Sequence, residues 1–197
     1  MAETWTLRDA FIEELRDAYD AEMQLTKVLP KMAKAATSPG LRALFEKHLD
    51  ETRGQLVRLE QVFESLSERA RGKHCDGIAG IIDEGKAVLQ GNLDKVTRDA
   101  CLIAGGKRVE HYEMAVYATL VSWARAMSFN EVADFLQQTL DEERAADLAL
   151  TALAELGINQ GAADAAYPEP DTEAEIEVPV SRQNKASKRR SAALRVS

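Results

Sequence analysis

Four long stretches of this chain place apolar residues at three- and four-residue steps, and almost none of it alternates as a strand would. Packed helices are what such a pattern can build. The first stripe runs Leu7, Phe11, Leu15, Ala18, Glu22, Leu25, Leu29, Met32 and Ala36. Pro30 falls inside it and is expected to kink the helix or leave one backbone carbonyl free. Ser38-Pro39 then ends one helix and caps the next, since Ser is a good N-cap and Pro a good first helical residue. The second stripe is Leu41, Leu44, His48, Glu51, Gln55, Leu59, Val62 and Leu66. After the polar interval "SERARGKHCDG", the segment "IAGIIDEGKAVLQ" reads as a short crossover helix. The third carries Val96, Ala100, Ile103, Lys107, Glu110, Glu113, Tyr117, Leu120 and Ala124. Ser128 and Glu131 form a capping-box pattern that predicts the start of the fourth, and Gly157 predicts its end. Short links make two antiparallel hairpins and the long link joins them, so an all-α four-helix bundle with one crossover is expected.

The stripes are not purely apolar. "LDETRGQL" at 49–56 and "LDEERAADL" at 140–148 repeat nearly the same acidic phrase on two of them. Glu22 and Glu51 are 29 residues apart (51 − 22), and so are Glu113 and Glu142 (142 − 113). The midpoints, 36.5 and 127.5, both fall on expected hairpin turns. Residues equidistant from a turn stand at one height, here ~20 Å from it at ~1.5 Å per residue. Glu110 lies one turn from Glu113 on the same face, while Glu143 and Asp147 add acids beside Glu142. Ionised carboxylates facing one another in a core cost several kcal/mol each. Shared protons, buried bases or a bound cation could offset that. Lys107 is one turn from Glu110, but Arg53, Arg108 and Arg144 are expected to face outward, so bases are too few. Metal is favoured, as hard divalent ions or iron suited to oxygen ligands, with two ions bridged by carboxylates sharing the charge.

Other features limit the alternatives. A net charge of −8 makes the body a poor binder of nucleic acid. Cys75 and Cys101 fit no metal or disulfide spacing, and such sparse use suits a reducing compartment. The first residues show no basic segment followed by an apolar run, and no apolar stretch nears the ~20 residues of a membrane span. A cytoplasmic protein without membrane association is expected. The bundle should occupy residues 1–160. Residues 161–180 hold six acids and no bases, and 181–197 six bases and no acids, which predicts a disordered tail, acidic then basic. The tail's basic part, 181–197, is where nucleic acid could be contacted.

The stretches "LRDAYDAEMQL", "HLDETRGQLVRLEQVFE", "VEHYEMAVYATL" and "TLDEERAADLALTALA" resemble the ferritin-like superfamily, more narrowly its YciE/YciF-like stress-protein branch. They fall in all four long helices and span most of residues 5–157. The resemblance implies a ferritin-like bundle holding two metal ions, iron foremost with manganese or zinc as alternatives. It points to Glu22 as the first-helix ligand, Glu51 as the second, Glu110 and Glu113 on the third, and Glu142 or Glu143 on the fourth. The superfamily pairs its acids with Glu-x-x-His. Here Gly54, Ala145 and Ala146 stand three residues after Glu51, Glu142 and Glu143, and none is histidine. His48, one turn before Glu51, could supply nitrogen from the other direction. Tyr19, Gln55, Tyr117 and Asp147 are candidates for supporting those ligands with hydrogen bonds.

Two functions follow as expectations. One is a di-metal, di-iron-type protein of the stress or oxidative-stress response, reducing peroxide or oxygen at the metal pair. The other is a non-enzymatic helical interaction or structural protein, its metal structural or absent, which could bind a partner or nucleic acid through the basic tail. Ferritin-like bundles commonly self-associate, so a homodimer is expected.

Overall fold

The computed structural model describes residues 4–168, and all regular structure among them is helical. Five main helices follow in order: α1 (Leu7–Ala35), α2 (Pro39–Ser65), α3 (Asp76–Gln90), α4 (Lys95–Ala126) and α5 (Asn130–Leu153). A π-helical turn at Ala154–Ile158 leads into a short α6, Asn159–Ala166. Thr6 starts α1 with a reciprocal capping box to Asp9. Ser38 caps α2, with Pro39 at its first position as the sequence predicts. Pro30 faces solvent within an unbroken α1.

Hydrogen-bonded partners fix the packing directions. Tyr19–Glu60 and Arg8–Glu68 pair α1 and its lower end against the end of α2, antiparallel about the Ala36–Ser38 link. Lys107–Thr151 and Arg125–Gln137 do the same for α4 and α5. α2 also packs on α5, and α1 on α4, so the four long helices close a ring. The link after α2 climbs along α1. Lys73 N–H donates to Arg16 O at 3.0 Å and Cys75 N–H to Asp20 Oδ2 at 2.9 Å, and α3 then lies across α1 and α4. Gly77 is required there, because a Cβ would meet the Tyr112 ring at 2.6 Å. Cys75 is buried and caps α3, and Cys101 is half-buried; both are free thiols.

Inside the ring the apolar residues fall into two clusters. One gathers Phe11, Leu15, Leu59, Phe63, Leu120 and Leu136; the other Leu25, Leu29, Leu41, Phe45, Ile103 and Leu150. On every long helix the two are separated by polar residues: Glu22 on α1, His48 to Gln55 on α2, Glu110 and Glu113 on α4, and Glu143 on α5. Burying each large apolar side chain contributes roughly 1.5–3 kcal/mol. A dozen such residues can carry a polar layer that costs several kcal/mol per ion.

The structure changes two expectations near the ends of helices. Ser128 does not cap α5. It has φ 62° and closes α4, with Phe129 N–H bonded to Ala124 O and Ser128 N–H to Arg125 O. That is a Schellman motif, and α5 begins after Phe129 without any side-chain cap. Ser67, φ 56°, ends α2 in the same way. Gly157, φ 141°, does stop α5's regular course, yet the chain continues as α6, so helix persists past residue 160 into the stretch expected to be tail. From residue 169 the expected tail, including the basic part 181–197, lies outside the described residues.

Candidate metal centre

The polar layer is built from one residue per helical turn on four helices. Glu22 on α1, Gln55 on α2 and Glu143 on α5 are completely buried; His48, Glu110 and Glu113 are 2% exposed. His48 stands in the middle. Its Nε2 lies 3.6 Å from Glu110 Oε1, 3.8 Å from Glu143 Oε2 and 4.0 Å from Glu113 Oε2. Its Nδ1 faces Glu51 Oε2 at 3.8 Å, an electrostatic contact rather than a hydrogen bond. Ligand-type atoms of His48, Glu110, Glu113 and Glu143 all lie within 4.8 Å of one another.

Two of the inner acids, Glu22 and Glu143, are each held through one oxygen only. Tyr117 donates to Glu22 Oε1 at 2.5 Å, and Gln55 Nε2 donates to Glu143 Oε1. Thr52, also fully buried, turns its hydroxyl to the His48 carbonyl at 2.9 Å, satisfying itself within α2. Buried atoms without any hydrogen-bond partner then crowd the layer. They are Glu22 Oε2, both His48 ring nitrogens, Glu51 Oε2, Gln55 Oε1, Glu110 Oε2, both oxygens of Glu113 and Glu143 Oε2. A buried orphan ordinarily costs ~1–3 kcal/mol, more when charged. Nature rarely leaves one such atom, and nine in one layer ask for a common partner.

Among the described residues no Lys or Arg comes within 4.0 Å of Glu22, Glu110, Glu113 or Glu143; His48 is the basic group that does, for the last three. Burial therefore dominates their ionisation. Glu22 is pushed up to about 8, by burial first and by the charge of Glu143 next, against the Tyr117 hydrogen bond. Burial likewise drives Glu110 and Glu113 well above the ordinary carboxylate range, with Glu143 and Glu22 respectively adding repulsion. Glu143 is raised by burial, an effect the nearby His48 opposes. Glu51, at the rim, is instead held low by His48 and Lys47. Without a cation, then, burial favours the protonated form of these inner acids.

The sequence-derived candidates divide accordingly. Glu22, His48, Glu110, Glu113 and Glu143 come together, with Glu51 on the rim, 21% exposed in its side chain and paired with Lys47. Gln55 and Tyr117 each hydrogen-bond an acid of the layer, Glu143 and Glu22 respectively. Glu142 does not join it. That carboxylate turns outward into a two-pronged ion pair with Arg58, at 2.9 and 3.0 Å, because one position along a helix is 100° of rotation. Tyr19 also goes elsewhere, its hydroxyl bonded to Glu60 at 2.9 Å. Asp147 sits at the edge, bonded by Lys107 and 3.2 Å from His111. Lys107 thus serves Asp147 and Thr151, not Glu110. Arg58 escaped the sequence reading. Its signal was positional, one turn after Gln55 and facing α5.

An all-helical ring enclosing a layer of buried acids around one imidazole defines the class of protein. The chain belongs to the DUF892 family, described as a domain of unknown function, whose pattern matches residues 6–163. Protein YciF of Escherichia coli strain K12 is 41% identical over 158 residues, 80% of this chain and 95% of YciF. The crystal structure of the E. coli stress protein YciF overlays with a TM-score of 0.77 at 40% identity, covering 80% of this chain and 99% of that one. YcfI of Rhodopseudomonas palustris, provisionally described as a structural protein, overlays at 0.74 and 39% identity, covering 76% and 96%. A Xanthomonas campestris protein, 23% identical with a TM-score of 0.58 over 79% of this chain and 99% of its own, shares the fold. No described helix is long and apolar enough to cross a membrane.

Proposed function

We propose that this chain is a ferritin-like four-helix bundle of two antiparallel hairpins that binds a pair of hard metal ions, iron foremost, in its polar layer. The observation that carries this reading is the set of partnerless buried atoms, all on groups that ligate cations. Glu22, His48, Glu110, Glu113 and Glu143 would hold the ions, with Glu51 completing the set from the rim. The donor set is oxygen-rich with one nitrogen and no thiolate, which favours iron or manganese and admits zinc. Two divalent ions would balance the four buried carboxylates, with Glu51 already paired to Lys47, and displace the protons they hold.

Iron bound there would supply electron-transfer chemistry toward peroxide or oxygen. The chain's own part is to hold the site. Tyr117 orients Glu22, Gln55 orients Glu143, and the two apolar clusters exclude water on either side. A role in the stress response accords with the kinship to the stress protein YciF. YcfI's description favours a second reading, a structural protein in which the metal only braces the bundle.

Metal analysis of gently purified protein decides first. About two iron, manganese or zinc ions per chain are expected, lost in Glu113→Gln and retained in Tyr19→Phe, whose hydroxyl bonds Glu60 away from the layer. No metal as isolated, and none after reconstitution with iron, manganese or zinc, refutes the reading. Peroxide consumption by the loaded protein then separates a redox centre from a brace.

A further inference from the structure

We propose that Arg58, Glu142 and Gln55 form a positioning chain that fixes which oxygen of Glu143 is offered to a metal. The inference rests on the metal-binding reading above and adds to it a control that lies outside the ligands. It begins at the surface of the α2–α5 seam. Arg58 donates through Nη1 to Thr139 Oγ1 at 2.6 Å and to Glu142 Oε2 at 3.0 Å, and through Nη2 to Glu142 Oε1 at 2.9 Å. A guanidinium fork of this kind fixes a carboxylate in both position and plane. It also explains why Glu142, next in sequence to Glu143, is held away from the layer.

Glu142 Oε2 then accepts from Gln55 Nε2 at 3.1 Å. An ionised carboxylate only accepts, so the Gln55 amide must turn its NH2 end toward α5. The second hydrogen of that same nitrogen goes to Glu143 Oε1. Gln55 is wholly buried, and its Oε1, pointed the other way, has no partner. The result is an asymmetric Glu143. One oxygen is occupied by the amide, and the other, Oε2, is free and 3.8 Å from His48 Nε2 within the acid cluster. Glu143 is thereby prepared as a ligand through one oxygen. Remove Glu142, and the amide keeps only one of its two acceptors. It is then freer to rotate away from Glu143 Oε1, which releases that oxygen and allows the carboxylate to swing.

Co2+ is the probe, because its visible spectrum reports the number and arrangement of its ligands. The full-length chain, stripped with chelator, is titrated with Co2+ alone, beside the variants Gln55→Leu, Glu142→Ala and Arg58→Lys. Gln55→Leu and Glu142→Ala are expected to weaken Co2+ binding ten- to a hundredfold, the range typical of groups that orient metal ligands. Both should alter the cobalt spectrum while leaving cobalt per chain at saturation unchanged. Arg58→Lys, which keeps the charge but loses the fork, should lie between them and the parent. Wild-type affinity and spectrum in both Gln55→Leu and Glu142→Ala overturn the inference and leave the metal site standing. So does weakened binding with an unaltered spectrum that merely tracks a lower melting temperature of the stripped protein, since that marks a structural role. Absence of cobalt binding by the parent chain overturns both readings at once.

Discussion

Raising the pH should destabilise this protein when its metal is removed. Glu22 has a carboxyl pKa of about 8 in the folded chain and about 4.5 when unfolded. Between those values the folded state keeps a proton that the unfolded state has released. Stability changes with pH in proportion to protons bound unfolded minus folded, so here it falls as pH rises. The contribution is intact below pH ~4.5 and is lost progressively up to pH ~8, at about 1.4 kcal/mol per pH unit per proton. From pH 5.5 to 7.5 the loss for Glu22 alone is about 2.5 kcal/mol. For a chain of this size that is roughly 5–10 °C in Tm. Glu110 and Glu113 are displaced in the same direction, so one proton is the minimum slope.

The assay is urea unfolding of chelator-treated protein at half-unit pH steps, followed by helical circular dichroism. Glu22→Gln should reduce the slope by about one proton. Saturating metal should reverse it, because ligands must lose their protons to bind. A stability that is flat or rising between pH 5.5 and 7.5 in the stripped protein would refute the argument that burial governs these acids.

Three further outcomes test other parts of the structure. Asp99, 4% exposed, accepts from the N–H groups of Thr37 and Ser38, both at 2.7 Å, and pins the α1–α2 turn to α4. Asp99→Ala should cost about 2–3 kcal/mol per lost charged hydrogen bond at most, seen as a lower urea midpoint without a change in m. Ser128→Gly relieves a left-handed residue worth ~1–2 kcal/mol of strain, partly offset by unfolded-chain entropy, and should raise Tm by a few degrees. Tyr117→Phe removes the hydrogen bond that opposes burial at Glu22. Glu22 should then titrate higher still, moving the steep part of the apo stability curve upward in pH.

The helical periodicity made the fold legible because each long helix buries one stripe and exposes the rest, which a sequence records directly. The Ser38-Pro39 start of α2 was legible for the same reason: both residues act through their own backbone and side chain. The start of α5 was not. Ser128 and Glu131 match a capping box by spacing, yet Ser128 is committed to ending α4, where the left-handed turn satisfies two helix carbonyls. Sequence spacing cannot tell which of two abutting helices will claim a serine.

The same turn bears on Glu142, the acid that spacing set opposite Glu113 and that the structure turns outward to Arg58. The midpoint of Glu113 and Glu142, 127.5, fell on the turn expected at Ser128. The Schellman closure centres the turn on Ser128, and the midpoint of Glu113 and Glu143 is 128. A half-residue error in the centre becomes a whole residue on the partner strand of the hairpin, and a whole residue is 100° around the helix. Height survives such an error, because one residue is only ~1.5 Å along the axis, whereas direction does not. Rotation of that size separates a carboxylate facing His48 from one facing Arg58. The repeated acidic phrase on α2 and α5, with Glu22, Glu110 and Glu113, therefore marked the level at which the buried acids gather. Which member of "EE" faces inward was decided by the turn, and by a guanidinium 84 residues away waiting for the other.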